Sequence, residues 1–270
     1  MSNPLAFPLP WNIAAKDYAE VTAPFFANYA EVALDKAKMT AGMRVLDVAA
    51  GPGTLALLAA RRGCKTMAVD FSPNMIDELK LSASRAGLAV EAHLGDGQAL
   101  QMADASFDAV FSMFGLMFFP DRAQGFKEML RVLVPDGVGV IATWQPMERF
   151  PMLAEVFATL RELLPGLPLG GNKAPLVAPS EIIDEMGTAG FRSVAVEEVS
   201  ATAEAPSLVE AWTFMFRGSP PLALVRRNLG EEAWINVEQG IVAALQQKYG
   251  SGAQKLTMTA NLALGRKSGG

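Results

Sequence analysis

The 270-residue chain has one cysteine, Cys64, and one histidine, His93. A lone thiol forms no internal disulfide and builds no thiolate-rich zinc centre, which fits a reducing compartment. Positive charge is also in short supply, with 23 Lys and Arg against 28 Asp and Glu and a net charge of -5. Such a surface repels a long phosphate backbone, so nucleic acid is not an expected partner. Long apolar runs are missing as well. The longest, "AVFSMFGLMFFP" from Ala109 to Pro120, falls short of the roughly 18 residues that a membrane-spanning helix needs. The opening "MSNPLAFPLPWNIAAKDYAE" breaks with prolines the apolar stretch of a signal peptide. Neither membrane insertion nor export is expected, and the predicted location is cytoplasmic. There is no internal repeat and no low-complexity tract.

What is present is a composition of 51% hydrophobic and 19% charged residues, that of an ordinary globular protein large enough for a sizeable core. A single domain over 1–270 is expected. From about residue 40, short β-branched runs alternate with amphipathic stretches, the pattern of βαβ units around a parallel sheet. Strands are predicted at 44–49, 65–70, 89–95, 107–114 and 137–145, several as continuous apolar runs suited to burial on both faces. Ser72 caps a helix with Pro73 at its first position, and Ile76, Leu79, Ala83 and Ala86 follow at helical spacing until Gly87. A later helix shows Phe126, Met129, Leu130 and Leu133 on one face before a turn at "VPDG". The core is assigned to about 40–145, 179–201 and 255–266, with helical lid additions at about 12–38, 146–178 and 205–250. In the first addition, Tyr18, Val21, Phe25 and Tyr29 follow one helical face. In the second, "PGLPLGGNKAP" reads as a loop. The tail "KSGG" is expected to be mobile.

The stretch "VLDVAAGPGTLA", Val45 to Ala56, runs a buried strand into a glycine turn and then a helix. Backbone N–H groups and a positive helix end meet there, and the glycines let a ligand approach closely. Gly51, Gly53 and Ala56 satisfy the dinucleotide fingerprint, and Asp70 lies where a ribose-binding acid belongs, so a nicotinamide-dependent oxidoreductase is one reading. Asp47 argues against it, because a carboxylate beside the turn repels a diphosphate and attracts an ammonium group. Unpaired near the core it would cost several kcal/mol, so a cationic or hydrogen-bonding partner is expected; the turn backbone is the alternative partner. Asp70, ending "AVD", suits two ribose hydroxyls. In "LGDGQAL", Asp96 can accept from an exocyclic amine beside the bare backbone of Gly97, or it is a turn residue. An ammonium, a ribose and an adenine amine occur together in S-adenosylmethionine.

With "VLDVAAGPGT", "AVDFSPNMI", "LGDGQAL" and "ASFDAVFSMFGLMFFPD" in this order and spacing, the chain resembles the class I S-adenosylmethionine-dependent methyltransferases over roughly residues 40–145. Within them it is most similar to the ubiquinone/menaquinone C-methyltransferase-like group. The resemblance implies an α/β, Rossmann-like sheet of seven mostly parallel strands with the last antiparallel, supplied by 255–266. It implies Asp47 and the Gly51 backbone at the methionine end of the cofactor, Asp70 at the ribose, Phe71 and Met75 on the adenine face, and Ala49 and Gly53 also among the cofactor-binding residues. Asp96, Gly97 and Gln98 would surround the adenine edge, with Ser112 and Met113 also beside the cofactor.

Methyl transfer is a direct displacement, so the protein contributes alignment, water exclusion and, where needed, proton removal. Phe114 is placed to face the sulfonium, and with Met117 it is assigned to the acceptor; Met113, Phe118 and Phe119 would extend an apolar wall or pack the core. His93 falls within strand three, away from where the family's histidine-dependent members keep their base. "SMFG" after strand four lacks the "NPPY" type of tetrapeptide, and its residues do not ligate a metal. An acceptor that is already nucleophilic is therefore expected, with Tyr18 as a candidate lid or proton-handling residue. The additions would sit over the acceptor and contain Trp11, Phe25, Phe150, Trp212 and Phe216, which suits an apolar small molecule. Arg149, Arg217 and Arg226 suit an acidic one instead. A non-catalytic cofactor-binding protein that acts through a protein partner is a third reading.

Overall fold

The computed structural model describes residues 3–166 and 175–269. Most of the predicted loop "PGLPLGGNKAP" lies outside them. The chain opens with helix α1 (Pro8–Asp17), a π-helical turn (Tyr18–Thr22) and α2 (Ala23–Lys36). The core then alternates β1 (Arg44–Val48), α3 (Thr54–Arg61), β2 (Lys65–Asp70), α4 (Pro73–Ala86), β3 (Val90–Leu94), β4 (Phe107–Met113), α5 (Arg122–Val132) and β5 (Leu133–Trp144). It continues through α6 (Pro151–Leu163), α7 (Pro179–Ala189), β6 (Arg192–Ala205), α8 (Leu208–Arg217), α9 (Pro220–Leu229), α10 (Glu231–Tyr249) and β7 (Gln254–Arg266).

The seven strands form one sheet in the order β3-β2-β1-β4-β5-β7-β6. β1 pairs in parallel with β2 and β4, and β7 runs antiparallel between β5 and β6, as the resemblance implied. The order reverses between β1 and β4, which opens a crevice at the strand C-termini. Local chemistry sets the boundaries. The Ser72 hydroxyl accepts the Met75 N–H at 3.2 Å and caps α4, worth about 1 kcal/mol. Gly87 ends that helix at φ 65°, where a side chain would be strained.

Three expectations need correction. The turn at "VPDG" does not precede a strand but interrupts one: Phe107 pairs with Leu133 and Ala109 with Val138, so the intervening residues of β5 bulge out, with Asp136 at φ 63°. The tail is tied down at its start, since the Lys267 ammonium donates to the carbonyls of Leu133 at 2.7 Å and Arg131 at 3.1 Å. The later helical additions do not roof the crevice. β6 and β7 extend together past the sheet, pairing out to Ala205 and Gln254. On this extension α6, α8, α9 and α10 build a core of their own around Trp234, Trp212, Leu160 and Ile241, in which Phe216 stacks between Trp212 and Trp234 at 5.6 and 5.0 Å.

Candidate active site

β1 delivers Asp47 and β2 delivers Asp70 to the sheet's C-terminal edge, and the chain after β1 makes a turn held by Ala50 N–H on the Val69 carbonyl (3.1 Å) and Gly53 N–H on the Ala50 carbonyl (3.0 Å). Ala49 takes φ 56° and Gly51 φ 57°. At the end of β4, Phe114 takes φ 63°. A Cβ on Gly115 would lie 2.4 Å from the Ala49 Cβ, so the turns after β1 and β4 touch, and only glycine permits it. Left-handed non-glycine residues at two adjacent strand ends are the kind of stored strain that clusters at functional sites.

The acids differ in environment. Asp70 is 5% exposed; one oxygen accepts the Gly51 N–H and the other the Ser72 N–H, both at 2.8 Å. Burial nevertheless pushes its carboxyl up to about 6, against the lowering effect of those N–H groups. Asp47 is 1% exposed; Oδ2 accepts the Ala56 N–H at 3.1 Å, whereas Oδ1 is buried with no partner among the described residues. Burial, with a smaller push from the Asp70 charge, raises this carboxyl to about 8. The turn backbone thus satisfies half of Asp47 and leaves the other half waiting for a donor. Asp96 is exposed and bonds the Gln98 N–H at 2.8 Å, and Gln98 accepts the Asp121 N–H at 2.8 Å, which braces the third strand end against the loop before α5.

These groups share one cavity of about 270 Å³. Asp47, Ala49, Gly51, Asp70, Phe71, Met75, Asp96, Gly97, Gln98, Met113 and Phe114 all line it. Three other assigned residues do not. Gly53 sits behind the turn, where a Cβ would strike the Leu79 Cγ at 2.5 Å, so its glycine serves packing on α4. Ser112 is fully buried, and Met117 packs with Phe126, Met129 and Ile141 in the core. His93 is exposed on β3, the sheet's edge strand, beside a separate groove.

The lid side was only partly legible. Leu5, Ala6, Trp11, Tyr18, Phe26 and Ala30 of the N-terminal segment line the cavity together with Phe118 and Phe119, and Trp11 meets Phe118 edge-on at 5.3 Å. Phe25, which the helical count favoured, packs instead against Phe214 at 5.6 Å. The π turn explains this: Ala23 N–H bonds the Tyr18 carbonyl, and the extra residue moves the cavity face from Phe25 and Tyr29 to Phe26 and Ala30. Pro24, which has no N–H, is the available signal. Phe26 stacks on Phe114 at 4.9 Å, and Phe114 stacks on Trp144 at 4.2 Å. α1 is pinned to α4 through Asn12, whose side-chain oxygen accepts from the Ser72 hydroxyl at 2.6 Å. Phe150, Trp212 and Phe216 do not line the cavity. The three arginines are engaged elsewhere: Arg149 with Glu198, Arg217 with Asp17 and Glu20, Arg226 with Glu231.

Residues 45–137 match the family profile described as a methyltransferase domain. An uncharacterised protein of Mycobacterium tuberculosis is 33% identical over 154 residues, 57% of this chain and 55% of that one. The demethylmenaquinone methyltransferase of Deinococcus radiodurans is 41% identical over 105 residues, 38% of this chain and 44% of that one. The chain spans about half the length of the curated relatives it matches. Among solved structures, the [4+2]-cyclase SpnF superposes with a TM-score of 0.60 at 22% identity, covering 90% of this chain and 82% of that one. A putative methyltransferase of Bacillus halodurans gives 0.59 at 19% identity, covering 88% and 98%. These likenesses speak for the fold, and a cyclase among them is a reminder that architecture alone does not fix chemistry. The matched strand-end motifs and the seven-stranded topology together make residues 45–137 similar to the methyltransferase-domain family and give the chain the fold of its solved neighbours.

Proposed function

We propose that the chain, as one domain over 1–270, transfers a methyl group from S-adenosylmethionine to a small, apolar acceptor. The observation that carries this is the buried, unpartnered Asp47 Oδ1 in the same cavity wall as Asp70 and Asp96. A group bearing an ammonium, a ribose and an aminopurine fits these residues: Asp47 and the Gly51 turn would hold the amino-acid end, Asp70 the ribose, Phe71 and Met75 the adenine face, and Asp96 with Gln98 its edge. A nicotinamide dinucleotide fits poorly, since its two phosphate charges would face Asp47 and Asp70 without a cation to offset them. When bound, S-adenosylmethionine supplies a methyl group on a positively charged sulfur, which an acceptor lone pair displaces while the S–CH3 electron pair stays on sulfur.

This chain's own residues then have three tasks. The acids fix the donor's orientation, which is the largest service a protein offers to a direct displacement. Phe114 and Phe26 line the cavity as a stacked pair, and a ring face turned toward the sulfonium would favour its charge by about 0.5–2 kcal/mol. The lid residues Trp11, Tyr18 and Phe118 exclude water and set an apolar, aromatic acceptor wall; similarity to a demethylmenaquinone methyltransferase supports an acceptor of that character. The cavity lies near the lower limit of the roughly 300–1,000 Å³ of small-molecule sites, in keeping with a lid that is folded down. Isothermal calorimetry tests the reading. Micromolar binding of S-adenosylhomocysteine is expected, weakened at least 100-fold in Asp70→Ala, with no binding of NAD. Absence of binding by the unaltered protein rejects the proposal.

A further inference from the structure

The π turn that begins with Tyr18 is gripped by the end of α8, a helix that does not line the cavity. Arg217 donates to Asp17 Oδ1 through Nε at 3.1 Å and Nη2 at 2.6 Å, and Nη2 also reaches Glu20 Oε2 at 2.9 Å. Asp17 directly precedes Tyr18, and Glu20 lies within the turn. At the next residue, a Cβ on Gly218 would run into Thr22 Oγ1, so the seam closes to contact because a glycine stands there. Phe214, earlier on α8, packs against Phe25 at 5.6 Å. These contacts converge from the outer helices on residues 17–25, whereas Trp11, Tyr18 and Phe26 of the same segment line the cavity. A motion of the seam is therefore a motion of the cavity wall.

The two anchors of this segment differ in kind. At Asn12 the bonds to Ser72 and Asn74 join neutral groups. At Arg217 they are ionic, and 39% of the Arg217 side chain is exposed, so dissolved salt reaches and screens them. Without the guanidinium, Asp17 and Glu20, three residues apart, would repel each other and lose their hold on α8. A donor seated on Asp47 and Asp70 shares its cavity with the lid residues, and movement of the lid widens its way out. Resting on the methyltransferase reading above, we propose that Arg217 is a positioning residue: through Asp17 and Glu20 it holds the π turn, and with it Tyr18, against the cavity, and its release is the step that lets the donor in and out. Asn12 marks the hinge side, and α8 the latch side.

The test follows S-adenosylhomocysteine, which has no net charge and so little salt response of its own, entering and leaving the full chain by stopped-flow tryptophan fluorescence. Raising NaCl from about 20 to about 500 mM shortens the screening length from about 20 Å to about 4 Å and is expected to speed dissociation from the unaltered protein at least threefold. Arg217→Gln is expected to be at least threefold faster already at low salt, with no further rise, because salt then relieves the repulsion between Asp17 and Glu20 instead of weakening an attraction. Entry and exit use the same opening, so association quickens too and the affinity stays within threefold. Lys248→Gln, which breaks the Lys248–Glu155 pair within the outer helices, is expected to match the unaltered protein. Hydrogen exchange supplies a readout that needs no ligand: Arg217→Gln is expected to raise it at least fivefold across residues 17–30 and to leave α10 unchanged, which also shows that the outer helices remain folded. An unchanged dissociation rate, a salt response that survives in Arg217→Gln, or a loss of affinity beyond threefold overturns the role of Arg217. Failure of the unaltered protein to bind S-adenosylhomocysteine removes the methyltransferase reading and the donor's passage with it, while exchange across residues 17–30 still decides whether Arg217 holds the turn.

Discussion

Asp47 shows most directly how a single buried carboxyl ties stability to pH. Without a ligand its buried carboxyl is raised to about 8, whereas the unfolded chain keeps it near 4. Between those values the folded state holds a proton that the unfolded state has lost, so the stability present below pH 4 declines as pH rises toward 8. Asp70, raised to about 6, acts in the same direction over a narrower window. Asp47→Asn removes the larger contribution, so the free variant is expected to melt higher than the parent at pH 8.5, by an amount that shrinks toward pH 5; thermal denaturation across pH checks this. The same variant is expected to lose S-adenosylhomocysteine affinity at least tenfold, because the amide cannot offset an ammonium. These two acids were readable from the sequence because a carboxylate at the end of an apolar strand violates burial rules and so demands a purpose. Gly53 was misread for the opposite reason: a motif position carries no information about whether a glycine faces a ligand or, as here, the side chain of Leu79.

At the scale of elements, the informative case is the N-terminal helix pair. Periodicity read one helical stretch over 12–38, where the structure has the end of α1, a π turn and α2, and it put Phe25 where Phe26 belongs, because a 3.6-residue count cannot anticipate a turn of five. The central strands were easier, since burial on both faces writes β4 and the later part of β5 as nearly continuous apolar runs. The bulge in β5 lay beyond reach, for "VPDG" specifies a reversal without saying that the chain resumes the same strand. Asn12 links α1 to α4 twice: its side-chain oxygen accepts from the Ser72 hydroxyl and its backbone carbonyl from the Asn74 side-chain amide. Asn12→Ala is expected to raise amide hydrogen exchange across residues 3–22 at least tenfold in the free protein, read by mass spectrometry, while exchange in β1 and β4 stays unchanged. An equal rise in the strands would show that α1 is part of the cooperative core rather than a lid.

For the molecule as a whole, two hydrophobic assemblies with different duties share one chain. The sheet core positions the cavity, and the outer helices around Trp234 pack on the far reach of β6 and β7 without lining that cavity. Trp234→Ala removes a fully buried side chain and is expected to cost about 3–5 kcal/mol, seen as a lowered melting temperature, with S-adenosylhomocysteine affinity at 20 °C held within twofold. The sequence announced the helices of this outer assembly but not its address, because an amphipathic face reports that it will be covered and is silent about by what.

The four tryptophans divide along the same line: Trp212 and Trp234 lie in the outer core, while Trp11 lies in the lid and Trp144 at the foot of the Phe26–Phe114 stack. With the outer pair replaced by phenylalanine, the native emission spectrum becomes an optical gauge of whether the entrance is shut, read without any attached dye.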